Sequence, residues 1–416
     1  MLSDADVDTY LADRQSRGFN AIWVILIDQA DQTNAPHDFY GNVPFDGAWF
    51  TNEDAAYWAH QDHVIQQAAA RGITVFAEVT FVGLAASNGS DLTAIQNSSN
   101  SVMAAYGTWL GNRYKDYNNI VWMVGGDADP FYTDVYSKLS LLATALAAAD
   151  PNHLITFEAS RFTQNNGGGQ APGGGYSSLD AWPKTPSWLG LNWVYQGNAQ
   201  LSGVSSVVSG CRSNYLRSPW LPPMMGEDWY ELEHSMTGTQ VRAEGYWEVL
   251  SGCYIGRLFG NDSIWTFNGQ QVSNGAPSWQ SQLSSEGSVG EQYLGQLMRS
   301  REHWKMVPDI NNTVLTAGFG TGTTLSVASR TSDGQTVIAY IPNGNATTLS
   351  IAMSAIIDVG NQAKCWWYDP QTATTMLIGT FPTNGTKTFT PPNGNDWVLV
   401  IDSAAAGLAA PGTTEE

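Results

Sequence analysis

Three cysteines in 416 residues (Cys211, Cys253 and Cys365) are too few for a disulfide framework, and their spacing is not that of a metal site. Cys211 and Cys253 either pair in an oxidising compartment or are buried as ordinary small hydrophobes. Charge is scarce too, with only 13% of residues being Asp, Glu, Lys or Arg. Within that share 38 acidic side chains outnumber 18 basic ones, for a formal net charge of −20. A chain so poor in cations repels phosphate backbones, which argues against nucleic acid and anionic membrane surfaces as partners. No apolar run reaches the roughly 18–20 residues that a spanning helix needs. A serine in a G-x-S-x-G elbow is missing, which removes the α/β-hydrolase option. The glycine triplets at 167–169 and 173–175 are followed by neither a helix nor a lysine, so they do not read as a phosphate loop.

What is abundant is apolar and aromatic. A hydrophobic share of 43% is ample for a large core and excludes disorder, and 17 Trp and 17 Tyr stand beside 42 Gly. With so few ions, the surface must be dressed mainly with Ser, Thr, Asn and Gln. The chain opens through Met1-Leu2-Ser3-Asp4 into a polar helix signal, with no secretory leader. Acidity, an uncharged polar surface and many tryptophans together predict a secreted enzyme whose leader has been removed.

To about residue 270, helix-like and strand-like segments alternate. Helices are expected over 4–17, 52–71, 100–117, 134–150 and 239–251, and strands over 19–27 (FNAIWVILI), 73–81 (ITVFAEVTF), 119–124, 154–158, 188–195, 224–229 and 263–267. Alternation every 30–40 residues or so indicates parallel βαβ units and favours a (β/α)8 TIM barrel over an open sheet. Seven strands are read. The eighth either belongs before the first helix, so that this chain lacks it, or Gly252–Leu258 closes the sheet. Past about residue 305, short strands over 315–327, 336–341, 347–353, 363–368, 375–381 and 397–401, separated by turn signals, predict a small antiparallel β-sandwich. The expected domains are therefore a catalytic domain at 1–304, a sandwich at 305–403 packed firmly on it, and a disordered tail or linker stub at 404–416.

A βα barrel places its chemistry just past the strand ends, which singles out Asp28, Glu78, Asp127, Glu158, Asn192, Glu227 and Asn261/Asp262. Two of these stand apart. Asp127 ends NIVWMVGGD, where paired glycines allow a sharp turn, and Glu227 ends PPMMGE just before Trp229 and Tyr230. Their separation of about three βα units assigns them to the fourth and seventh strands of a barrel. Two carboxylates in an aromatic-rich cleft are what glycoside hydrolysis needs, one to protonate the departing oxygen and one to attack the anomeric carbon or activate water. Trp193, Trp229, Tyr230 and Trp265 offer flat faces for sugar rings. Glu78 and Glu158 could equally be structural. The His60-Gln61-Asp62-His63 run reads as a solvated or structural helix face rather than a metal site.

Together these segments carry a resemblance. AYGTWLGNRYKDYNNIVWMVGGD (105–127), FYGNVPF (39–45), NEDAAYWAHQDHVIQQAAARGI (52–73), G-E-D-W-Y-E (226–231), FGNDSIWTF (259–267), REHWKMVPD (301–309), WWYDPQTA (366–373) and PPNGNDWVLVID (391–402) resemble the apiosidase-like glycoside hydrolases, glycoside hydrolase family 140 and relatives. The likeness covers nearly the whole chain, including a C-terminal β domain similar to the family's "collagen-binding" module. It implies a (β/α)8 catalytic domain with its Asp at the G-G-D position, Asp127, and its Glu at the G-E-x-x-Y-E position, Glu227. One departure is the absence of the P-F-F-x-x-G-D-T-x-W strand with which family members usually begin.

The resulting expectation is a glycoside hydrolase acting on a plant or microbial poly- or oligosaccharide. Asp127 serves as general acid/base and Glu227 as nucleophile, with substrate contacts from Asp28, Tyr40, Glu78, Asn192, Trp193, Trp229, Tyr230, Asn261 and Trp265. No metal or organic cofactor is required. Net retention is expected, which needs the two carboxyl groups roughly 5–5.5 Å apart. The rival reading is a non-catalytic carbohydrate-binding protein on a degenerate barrel.

Overall fold

The computed structural model describes residues 1–29, 34–83, 91–128, 133–159, 177–182, 184–195, 203–265, 267, 277–345 and 347–413. The glycine triplets at 167–169 and 173–175 lie outside them. The chain forms two compact units, 1–195 with 260–283, and 196–259 with 284–416.

The first unit is built from α1 (Asp4–Ser16), β1 (Ala21–Ile25), α2 (Ala55–Ala70), β2 (Thr74–Glu78), α3 (Leu92–Asn97), α4 (Asn100–Tyr114), β3 (Ile120–Met123), α5 (Thr133–Ala149), β4 (Ile155–Thr156) and β5 (Asn192–Tyr195). Helices α1, α2 and α4 start where side chains satisfy the orphan amides. The Ser3 hydroxyl accepts from Asp6 N at 3.2 Å, and the Asp54 carboxylate accepts from Ala56 N and Tyr57 N at 2.9 and 2.8 Å. Helices α4 and α5 pack closely because α4 carries glycines at the contact. A Cβ on Gly107 would lie 2.3 Å from Leu142 O, and one on Gly111 would lie 2.7 Å from the Ala149 Cβ.

Strands β1 to β4 pair in parallel in that order, with Ile25 opposite Glu78, Glu78 opposite Met123, and Met123 opposite Thr156. Their C-terminal ends are therefore level, so residues just beyond β2, β3 and β4 emerge at one edge of the sheet. A parallel bridge from Ile155 to Leu189 continues the pattern toward β5. Among the described residues this ladder does not amount to a closed eight-stranded barrel. The strand expected at 263–267 is also absent. Asp262–Trp265 is a helical turn, because the Asn261 side chain accepts from Ser263 N at 3.1 Å and caps it.

The second unit contains α6 (Val204–Tyr215), β6 (Pro223–Glu227), α7 (Gly238–Ser251), α8 (Glu286–Arg299) and the strands β7 (Met306–Pro308), β8 (Leu315–Ala317), β9 (Val327–Thr331), β10 (Thr336–Ile341), β11 (Leu349–Ala352), β12 (Gln362–Tyr368), β13 (Thr375–Pro382), β14 (Thr386–Phe389) and β15 (Trp397–Ser403). Near Arg257 a single parallel bridge meets β6 at Met225, with Leu258 N donating to Met225 O at 3.0 Å. Gly252–Leu258, one of the two alternatives for the eighth strand, therefore does not form a strand of its own. The antiparallel domain is present as a six-stranded sheet (β13-β12-β15-β10-β9-β7) and a three-stranded sheet (β14-β11-β8). Val337, Ala339, Trp367, Leu399 and Ile401 alternate into the core between them. The single strand expected over 315–327 is broken, because Gly318, Gly320 and Gly322 adopt φ of 89, 66 and 54°.

Strands β10 and β15 are buried at every position, because helices cover the face turned away from the small sheet. Tyr246 of α7 stacks on Tyr340 at 4.6 Å, and Trp247 Nε1 donates to Leu325 O at 2.7 Å. Two buried ion pairs fasten the sheet: Arg242 with Asp396 (2.8 and 3.2 Å) and Arg301 with Asp402 (3.0 Å for both bonds). Of the stretch 404–416, expected as a disordered tail or linker stub, the described residues 404–413 are tied back. Ala409 O accepts from Arg301 Nη2 at 2.8 Å, and Gly412 N donates to the Ser300 hydroxyl at 3.0 Å.

Candidate active site

At the level edge of the first sheet three carboxylates gather: Glu78 closing β2, Asp127 four residues past β3, and Glu158 two past β4. The two glycines before Asp127 have separate jobs. Gly125 sits at φ 95°, a conformation that side chains rarely adopt. Gly126 leaves room for Glu78, since a Cβ there would be 2.1 Å from Glu78 Oε1. Asp127 itself is held at φ 47°, in the left-handed region. Its backbone N–H donates to Glu158 Oε2 at 3.1 Å, and a carboxylate oxygen of each residue lies within 4.8 Å of the other.

Both glutamates are buried, and each accepts from an indole. Trp23 Nε1 donates to Glu78 Oε2 at 2.8 Å, and Trp193 Nε1 donates to Glu158 Oε1 at 2.9 Å. The two indoles meet edge-on at 5.5 Å, Phe76 lies 5.5 Å from Trp193, and Trp265 lies 5.9 Å from Trp23. Trp193, expected as a platform for sugar, is wholly buried and orients Glu158. Asn192 is also buried, with its Oδ1 accepting from Leu179 N at 3.2 Å. Asn261 caps the turn that carries Trp265. Tyr40 is exposed and packs edge-on to the His60 ring at 5.4 Å. His60 is itself buried against Asp4 (2.7 Å), so the histidine run is a structural face.

Asp28 is partly exposed just beyond β1, near a further buried acid, Asp91. Asp91 accepts from Phe81 N at 2.9 Å and from the Gln29 side chain. Burial pushes its carboxyl up to about 7 despite those two donors, and the charge on Asp28 adds to the rise.

In the second unit Glu227 ends β6, half-buried, and its Oε1 accepts from the Tyr230 hydroxyl at 2.7 Å. Trp229 is half-buried and lies 4.2 Å from the His234 ring. The last Glu of the G-E-x-x-Y-E segment has a different task. Glu231 accepts from Gly287 N at 2.9 Å and from the Ser285 hydroxyl, which fastens the start of α8.

Behind Glu227 the next residue, Asp228, joins a buried cluster that sequence reading missed. Arg257 lies 2.9 Å from Glu248, 2.7 Å from Glu291 and 3.9 Å from Asp228. Burial alone would lower the Arg257 pKa, but these acids hold the guanidinium protonated and raise it. Burial raises Glu248 well above the carboxylate range, with Arg257 opposing and Asp228 reinforcing the shift. A buried Glu on a helix gives no local sign of this partnership, since its cation is nine positions away and its other acids lie farther along the chain.

Residues 1–305 match the family model described as the apiosidase-like catalytic domain, about three quarters of the chain. The chain belongs to the apiosidase-like glycoside hydrolases. Residues 307–402 match a second family model, described as the collagen-binding domain of a collagenase. Among solved structures, a glycoside hydrolase is 22% identical with a TM-score of 0.77, covering 97% of this chain and 90% of its own. A family 5 glycoside hydrolase from Bacteroides vulgatus is 24% identical with a TM-score of 0.79, covering 97% and 87%. Another glycoside hydrolase from that organism is 14% identical with a TM-score of 0.66, covering 97% and 76%. At such identities these likenesses speak for the fold alone. No curated protein matches the chain.

Proposed function

We propose that this apiosidase-like enzyme cleaves a glycosidic bond in a plant or microbial poly- or oligosaccharide with net retention, using Asp127 as general acid/base and Glu227 as nucleophile. The observation that carries the reading is the backbone at Asp127. A left-handed φ of 47° after two glycines, fixed by the N–H bond to buried Glu158, holds one carboxylate in a conformation that the chain would not adopt unaided. The Tyr230 hydroxyl, donating at 2.7 Å, orients Glu227 for attack and lowers the cost of its charge. In this mechanism Asp127 donates its proton to the departing oxygen as Glu227 bonds to the anomeric carbon. Asp127 then takes a proton from the water that releases the sugar.

Tyr40, Trp229, Tyr230 and Trp265 supply the faces and hydroxyls on which sugar rings rest, while Glu78 orders the pocket wall through Gly126. The barrel architecture and a secreted location belong to the same proposal. On a panel of aryl glycosides and plant polysaccharides, Asp127→Asn and Glu227→Gln should each lose at least a thousandfold in turnover with the fold intact. Glu158→Gln, which keeps one acceptor oxygen, should lose far less. Either amide variant retaining a tenth of the activity would refute that residue's role. An inverted first-formed anomer, followed by NMR, would make Glu227 a general base instead. No turnover on any glycoside, with sugar binding retained, would favour a binding protein.

A further inference from the structure

Helix α6 packs against α7 and β6 in the second unit, and the chain leaving α7 turns back onto α6. The turn is made at Gly252, φ 134°, where a Cβ would meet Tyr215 Cβ at 2.8 Å and Cys211 O at 3.0 Å. That close approach seats Cys253 beside Cys211, with the two Sγ atoms 3.2 Å apart and both side chains fully buried. The backbone at Cys253 is fixed as well, its N–H donating to Glu248 O at 3.2 Å. The remaining cysteine, Cys365, lies on β12 in the core of the β-sandwich, so the pairing has one solution.

We infer that Cys211 and Cys253 form an intramolecular disulfide when the chain folds in the presence of a small-molecule or protein disulfide, and that this bond fastens α6 to the end of α7 around β6 and Glu227. In the reaction the thiolate of one cysteine attacks the oxidant's S–S bond and expels one thiol. The second thiolate then attacks the mixed disulfide and expels the other. Two protein S–H bonds and one foreign S–S bond become one protein S–S bond and two foreign S–H bonds, so atoms and electrons balance. The closed loop spans 42 positions, long enough for the cross-link to restrict the unfolded chain appreciably. The contact with Cys253, followed by burial, keeps the Cys211 thiol protonated in the finished fold, so exchange belongs to folding rather than to the native enzyme.

The test refolds the reduced full-length chain with and without oxidised glutathione, then counts thiols after denaturation and maps the peptides. Without the oxidant all three thiols should react. With it one should remain, a linked peptide pair should contain residues 211 and 253, and the unfolding midpoint should rise by roughly 5–10 °C. Cys211→Ala/Cys253→Ala should show one thiol and the same midpoint under both conditions. Three free thiols, glutathione retained on either cysteine, or a link to Cys365 would overturn the inference. So would a cross-linked protein that unfolds no higher than the reduced one.

Discussion

Asp91 makes a sharp prediction about pH, because its carboxyl is buried and raised from 3.8 to about 7. Between those values the folded state holds a proton that the unfolded chain has released. The sign follows: stability falls as pH rises through this window, and above it the full cost of the buried charge is felt. At about 1.4 kcal/mol per pH unit, the roughly three-unit shift corresponds to about 4 kcal/mol. Asp91→Asn cannot ionise, so its cost or benefit does not change over the same range. At pH 4 the variant should unfold at or slightly below wild type, because its amide has one oxygen for the two donors, Phe81 N and Gln29. By pH 8 the difference should have moved in the variant's favour by about 4 kcal/mol, on the order of 10 °C for a unit of this size. Unfolding midpoints of both proteins at pH 4, 6 and 8 provide the measurement. A difference that stays constant across these pH values would show that Asp91 is ionised throughout and that the reasoning from burial is wrong.

Three substitutions probe other parts of the argument. Gly126→Ala should displace Glu78 and break its bond to Trp23, costing about 1–3 kcal/mol in stability and at least tenfold in turnover, as read by urea unfolding and steady-state rates. Arg242→Ala strips the buried Asp396 of its cation, leaving only Tyr340 (3.3 Å) and Gln371 (2.7 Å) as side-chain donors, so a loss of about 3–5 kcal/mol is expected in the same unfolding assay. Glu231→Gln removes one of two acceptors at the start of α8 and should cost about 1–3 kcal/mol without the collapse in turnover expected of Glu227→Gln.

The parallel strands were plain in the sequence because FNAIWVILI and ITVFAEVTF are near-continuous apolar runs. Only β2 is buried almost throughout, while β1, at the end of the four-stranded order, is half-buried at every position but Ile22. Asp127 was legible for a local reason, since two glycines before a carboxylate announce an unusual backbone. Where the reading failed, the deciding partner was distant or the pattern short. SIWTF looks like a strand, yet the Asn261 cap three residues before Ile264 makes it a helical turn. Trp193 looked like a sugar platform because nothing near it in sequence reveals Glu158, 35 residues earlier, as the acceptor of its N–H. Glu231 was hidden in the same way, its donors lying more than 50 positions on.

Helix α7 is enclosed at every residue from Val241 to Ser251, with its aromatic and arginine side chains spent on Leu325 O, Tyr340 of β10 and Asp396. The border between the two family models falls at 305–307, but the compact unit that contains α7 runs across it. Ancestry and folding therefore divide this chain at different places. A gene cut at 306 would inherit everything that matches the catalytic family model and still strand a greasy helix in water, leave Arg301 without Asp402, and leave Arg242 with Glu286 as its one remaining acid. Recombination that traded the β module for an unrelated one would face the same penalty, so the pair is expected to travel through evolution as one piece.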